Sequence, residues 1–158
     1  MPKSKFNHSR KILGKQPIKV NGLIPGMILE FKYSKPDITD KNPLILFLYY
    51  DFKNGVVDGL NLNYLSDYRF KKLFNGFKRR TDVSTIGEEA SNLISEDFTF
   101  VLIPPYKKLQ TRSKSEIIVE MKRMYKEFIS PRYGFQDIYR SYSIDNIKSL
   151  KAINFKDY

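Results

Sequence analysis

The sequence predicts an α+β domain, with a small antiparallel sheet or SH3-like barrel in the N-terminal half followed by amphipathic helices and one returning strand. Three observations predict it. Residues 27–65 are short apolar segments, partly alternating with polar residues and cut by turn residues. From Ser66 onward the apolar spacing lengthens to that of a helix. The composition is that of a globular protein, with 158 residues, 41% hydrophobic and 15% aromatic. A chain of that length can bury one core without cross-links.

Residues 1–17 read as a basic N-terminal arm, polar and without periodicity. Residues 18–158 read as a single domain, β-rich over 18–65 and mainly helical over 66–158. Pro25-Gly26 is a turn dipeptide. After it Met27, Leu29, Phe31 and Tyr33 mark one face of a half-buried strand, and 34–42 form a loop. Residues 43–50 are continuously apolar, the signature of a strand buried on both faces. A turn over 51–55 leads to one or two short strands over 56–64, with Leu60, Leu62 and Tyr64 on one face.

Ser66 caps a helix whose Phe70, Leu73, Phe74 and Phe77 share a face. Thr85-x-x-Glu88 has the form of a capping box opening a second helix, with Ile86, Ala90, Leu93 and Ile94 inward. Residues 98–103 are the returning strand, stopped by Pro104-Pro105. Ser113-x-x-Glu116 is another capping box. The helix behind it is striped by Ile117, Ile118, Met121, Met124, Tyr125, Phe128 and Ile129, and Pro131 ends it. Phe135, Ile138, Tyr139 and Tyr142 suggest a short helix, and Ile144, Ile147, Leu150 and Ile153 an amphipathic tail.

The net charge is +11, from 28 basic and 17 acidic residues. Such a surplus attracts nucleic acid, anionic lipid or acidic protein. It is unevenly placed. The arm region holds Lys3, Lys5, Arg10, Lys11, Lys15 and Lys19 and no acid, which is +6 and leaves +5 for the rest. The first helix carries Arg69, Lys71, Lys72, Lys78, Arg79 and Arg80 away from its Phe stripe. These twelve residues are the candidate contacts to an anionic partner; phosphates bound there would make affinity salt-dependent. The bland alternatives are a solvated helix face and a solubilising tail. The arm equally suits lying along nucleic acid or threading between protein subunits. Tyr133, Tyr139 and Tyr142 with Arg132 and Arg140 could stack on bases, although most aromatics fall on inward stripes.

Catalytic patterns are sparse. There is no Cys, and His8 is the sole His. No phosphate-cradling loop, dinucleotide turn or zinc-protease motif occurs. No catalytic residue, metal ligand or cofactor is expected. The outsider is a Mg²⁺-dependent nuclease, suggested by Asp37 with Asp51-Phe52-Lys53, and by the second acid-x-Lys, Glu30-Phe31-Lys32. Turn residues flanking a strand are the simpler reading. No apolar run is long enough to span a membrane, and the first residues lack a secretory apolar stretch. The expectation is a soluble, intracellular protein.

Phe31-x-Tyr33-x-Lys35, then Tyr49-Tyr50-Asp51, then Gly59-Leu60-Asn61-Leu62-x-Tyr64-Leu65 with Arg69 after it, resembles a family of small proteins of tailed, often T4-like, bacteriophages. Tyr139-Arg140-x-Tyr142 with Ile147 resembles the same family's C-terminal portion. Here the apolar run 43–48 precedes the Tyr-Tyr-Asp segment, where the family usually has it after. The resemblance implies a non-enzymatic virion structural or assembly protein of tail, baseplate or neck, in the virion or the host cytoplasm. Its partners would be other phage structural proteins and possibly DNA, within an oligomeric assembly. The alternative it implies is a basic nucleic-acid-binding accessory protein.

Overall fold

Apolar alternation over 28–61 and again over 139–153 builds one antiparallel sheet whose two faces are covered differently. A computed structural model of the chain describes residues 15–23, 25–35, 40–71, 113–125 and 135–153. The strands are β1 (Lys15–Pro17), β2 (Ile28–Tyr33), β3 (Leu44–Asp51), β4 (Val56–Asn61), β5 (Tyr139–Ser143) and β6 (Ile147–Ile153). They lie in the order β1-β6-β2-β3-β4-β5. Helix α1 (Lys114–Tyr125) packs against β3, and the single turn α2 (Phe135–Ile138) against β4. The chain is therefore α+β.

β5 and β6 stand at opposite ends of the run β6-β2-β3-β4-β5, yet only the 3-10 turn Ile144–Asn146 joins them. Such a link spans at most about 14 Å. Crossing four strand spacings of a flat sheet would need about 19 Å. The sheet must curl, and its inner face closes on itself. The Tyr142 ring of β5 meets Phe31 and Tyr33 of β2 edge-on, each at 5.1 Å between centroids. The Ser143 N–H donates to the Tyr33 hydroxyl at 3.1 Å. Leu29, Phe31, Ile45, Phe47, Val57 and Tyr142 are the centre of this inner core.

Alternate positions face outward and are also buried: Ile28, Leu44, Leu46, Leu48 and Leu60. Ile117 of α1 and Ile138 of α2 are buried too. Burial on both faces is why residues 44–48 read as an unbroken apolar run. A bulge contributes as well: Phe47 pairs with Gly59 and Tyr49 with Asp58, so Leu48 is an extra residue in β3.

Both serine caps stand where the sequence places them. Ser66 Oγ accepts from the Arg69 N–H at 3.3 Å, at the start of the helical residues 67–71. Ser113 Oγ accepts from the Glu116 N–H at 3.3 Å and donates to Glu116 Oε1 at 3.0 Å.

Two expectations are corrected. Residues 139–153 are not a helix with an amphipathic tail, apart from the α2 turn before them; they are β5 and β6. The i, i+3 recurrence of Ile147 and Leu150 that imitates a helix comes from a bulge, since Glu30 pairs with Lys151 but Lys32 with Lys148. β6 thus spends three residues where β2 spends two, and Ser149 within the bulge has a left-handed φ of 57°. Residues 15–17, assigned to the arm, form edge strand β1 against β6. Pro17 ends it, and an edge tolerates a residue without an N–H. Residues 1–14, the helix over 85–94, the strand over 98–103 and Leu73, Phe74 and Phe77 lie outside the described residues.

Candidate functional site

The Gly59–Leu65 segment leaves the sheet at the end of β4 and opens a 3-10 turn, Leu62–Tyr64. Its two asparagines are buried. Asn61 Oδ1 accepts from the Asn63 N–H at 3.0 Å, a local backbone bond typical of asparagine in a turn. Asn61 Nδ2 donates to Asp40 Oδ2 at 2.9 Å and to the Tyr142 hydroxyl at 3.3 Å. Asn63 Nδ2 donates to the same Asp40 oxygen at 2.9 Å and to the Asn42 carbonyl at 3.3 Å. The motif therefore ties the end of β4 to the segment leading into β3. Arg140, opposite Gly59, lays its guanidinium 5.3 Å over the Tyr64 ring and donates to the Tyr139 carbonyl at 2.9 Å.

A second polar cluster sits on the outward side of β4. Asp58 is fully buried. It accepts from the Tyr139 hydroxyl at 2.7 Å and the Ser141 hydroxyl at 2.6 Å, and Lys114 Nζ of α1 lies 2.9 Å away. The hydrogen bond from Lys114 to Asp58 holds the ammonium above its usual pKa. A carboxylate with three donors is satisfied, and its role is to fasten α1 and β5 onto β4.

The acid-x-Lys patterns are engaged in the same way. Asp51 accepts from the Asn54 backbone N–H at 3.2 Å and from its side-chain amide at 2.8 Å; these bonds closing the β3–β4 turn hold its carboxyl below the usual range. Glu30 makes an ion pair with Lys15 of the edge strand. Asp37 lies outside the described residues. Among the described residues no three His, Asp or Glu side chains converge on a point that could hold a metal ion. No helix of the described residues is long and apolar enough to cross a membrane.

Of the twelve candidate cations, four are described. Lys15 is turned to Glu30. Lys19 and Lys71 are exposed, and Arg69 is half-buried, its guanidinium 6.0 Å from the centroid of the Tyr68 ring. Lys3, Lys5, Arg10, Lys11, Lys72, Lys78, Arg79 and Arg80 lie outside the described residues, as do Arg132 and Tyr133. Tyr142 belongs to the inner core and the Tyr139 hydroxyl is bonded to Asp58, so neither ring stands free for base stacking. The structure adds cations that sequence reasoning passed over: Lys32 and Lys148 are cross-strand partners, both exposed. They are 116 positions apart, and only the β2–β6 register brings them together.

No known family model, curated protein or solved structure matches this chain. The site is thus read from its own chemistry.

Tyr142, buried, and Tyr139, half-buried, set an alkaline limit. Burial pushes the Tyr142 hydroxyl well above its usual pKa, with the Asp40 charge adding to it. Burial and the hydrogen bond to Asp58 do the same for Tyr139. In the unfolded chain both ionise near pH ~10. Above that pH the unfolded state binds fewer protons than the folded one, so stability falls as pH rises. Tyr142, 2% exposed, alone contributes a fall of about 1.4 kcal/mol per pH unit once pH exceeds its unfolded pKa. Urea unfolding from about pH 9 to about pH 11 measures this slope. It should flatten in Tyr142→Phe, and an equally steep slope in that variant would refute the assignment.

Proposed function

We propose that this chain is a non-enzymatic docking protein of a tailed bacteriophage, acting in the virion or its assembly, at tail, baseplate or neck. One observation carries the reading. Among the described residues four acidic side chains are held by partners of the fold, whereas Lys19, Lys32, Lys71 and Lys148 are exposed without one. Asp58, Asp40, Glu30 and Asp51 are all engaged within the chain. Among the described residues Lys19 and Lys71 have no acid beside them. A net charge of +11 over the whole sequence favours an anionic partner.

The curl of β6-β2-β3-β4-β5, closed by one 3-10 turn, supports an SH3-like barrel as the scaffold. Such barrels host many unrelated functions, so the scaffold adds no activity of its own to the argument. The phage assignment leans on the motif resemblance. The internal bonding of Asn61 and Asn63 supports reading that motif as a device of the fold, with docking left to the cationic surface.

Quantitative mass spectrometry of purified particles and of assembly intermediates tests the reading. The expected result is this chain at a fixed copy number in virions or in one intermediate. Its absence from all of them overturns the proposal.

A further inference from the structure

The outward side of β2 and β6 carries an arrangement that folding alone does not explain. Lys32 and Lys148 are directly opposite each other in the antiparallel ladder, and both are exposed. Like charges so placed destabilise a sheet. Among the described residues neither has an acidic partner. The next outward pair along the ladder is Glu30 with Lys151. Glu30 takes its ion pair from Lys15 on the edge strand.

The bulge in β6 is part of this arrangement. Lys148 and Lys151 are three residues apart and would point to opposite faces of a regular strand. The extra residue returns them to one face, and it does so with Ser149 at φ 57°, a conformation disfavoured for a residue with a side chain. Backbone strain that keeps cations together is a reason to look for what they hold. Lys35 and Lys41 stand at the same end of the sheet, where the Tyr33 N–H donates to the Lys41 carbonyl at 3.0 Å and Lys41 Nζ to the Lys35 carbonyl at 2.9 Å. Among the described residues the acids at that end are Asp40, turned to Asn61 and Asn63, and Asp145, exposed in the 3-10 turn.

We infer that the face formed by Lys32, Lys148 and Lys151 binds the phosphodiester backbone of nucleic acid. The inference rests on the docking reading above and gives it a partner class. Outward positions recur about every 6.7 Å along a strand and about 4.8 Å between strands, so the ammonium groups form a regular array suited to repeating phosphates. An acidic protein surface is the weaker fit. Protein interfaces centre on buried apolar or aromatic anchors, and the large exposed apolar side chains of the described residues, Phe52, Tyr68 and Val119, are on other elements. Lysines are point charges without the forked donor geometry that reads base edges, so binding is indifferent to sequence.

Fluorescence anisotropy of the full chain with labelled duplex DNA of two unrelated sequences, single-stranded DNA and polyglutamate tests the inference. The expected result is equal affinity for both duplexes, falling with salt. Lys32→Glu with Lys148→Glu weakens DNA binding roughly tenfold or more and lowers the slope of log K against log salt by about two. Lys53→Glu, in the exposed β3–β4 turn, changes neither. Lys32→Glu alone replaces a like-charge pair with an opposite-charge pair, so its urea midpoint rises while binding falls; a misfolded variant lowers both. Unchanged DNA binding in the double variant, no DNA binding by the native chain at low salt, or tighter binding to polyglutamate overturns the inference. Each of those leaves the docking reading standing if the chain is found in particles. Absence from particles with intact DNA binding removes that reading and keeps this face.

Discussion

Asp58→Ala should lower the unfolding free energy by about 3 kcal/mol, the loss expected when a buried charged acceptor is taken from its donors. Asp58 has no exposed surface. Its carboxylate receives the Tyr139 and Ser141 hydroxyls at 2.7 and 2.6 Å. Hydrogen bonds to a charged group are worth about 1.5–3 kcal/mol each. Alanine leaves both hydroxyls without that acceptor and opens a space against β5. The Lys114 contribution is smaller, because its side chain is 48% exposed and returns to water at little cost. Urea unfolding should therefore rank the variants Asp58→Ala, then Asp58→Asn, then Lys114→Met, from most to least damaging. Asn keeps one acceptor oxygen for the hydroxyls but introduces an amide that needs its own partner. An Asp58→Ala variant within about 1 kcal/mol of native would mean that the cluster does not hold β5 to β4.

The parts of this fold legible in the sequence are those specified by near neighbours. Ser66 and Ser113 cap their helices because a cap needs only the next three residues. The strand over 44–51 is legible from its own unbroken apolar run. The C-terminal strands are not, for a local reason: the bulge at Ser149 puts Ile147 and Leu150 on one face at a spacing that belongs to helices. β1 escaped notice because three residues ending in proline carry no period of their own.

The polar clusters and the cationic face depend on distant positions. Asp58 meets Ser141 across 83 residues, Asn61 meets Asp40 across 21, and Lys32 meets Lys148 only through the β2–β6 register. A count of charges along the chain finds the arm and the Phe-striped helix. It does not find lysines that a curled sheet brings side by side, although alternation around Phe31 already places Lys32 outward. Residues 59–65 show the same division. Their density of Asn and Gly points to a turn, while the identity of the partner, Asp40, follows only from tertiary structure.

Gly59→Ala should cost about 3 kcal/mol, the upper end of what forcing a side chain into a packed site costs. The sequence suggests that Gly59 serves either a bulge or a positive φ. The structure separates the two: among the described residues the left-handed glycines are Gly26 and Gly55, while Gly59 lies opposite the β3 bulge. A Cβ there would stand 2.7 Å from the Leu46 carbonyl oxygen and 2.9 Å from Ile45 Cδ1. The oxygen is backbone, held in the β3–β4 ladder, and cannot move aside without distorting it. Ile45 is in the inner core, where close packing means that turning it aside displaces its neighbours. Gly55→Ala is the control. It pays for a φ of +63°, but its nearest neighbour is a side-chain carbon, Ile144 Cγ1, at 3.3 Å. The left-handed penalty is about 1–2 kcal/mol, so Gly55→Ala should be the milder change. Equilibrium unfolding of both variants decides between the explanations. If Gly55→Ala is the more damaging, close approach at the bulge is not what requires glycine at position 59, and the packing of β4 against β3 needs another account.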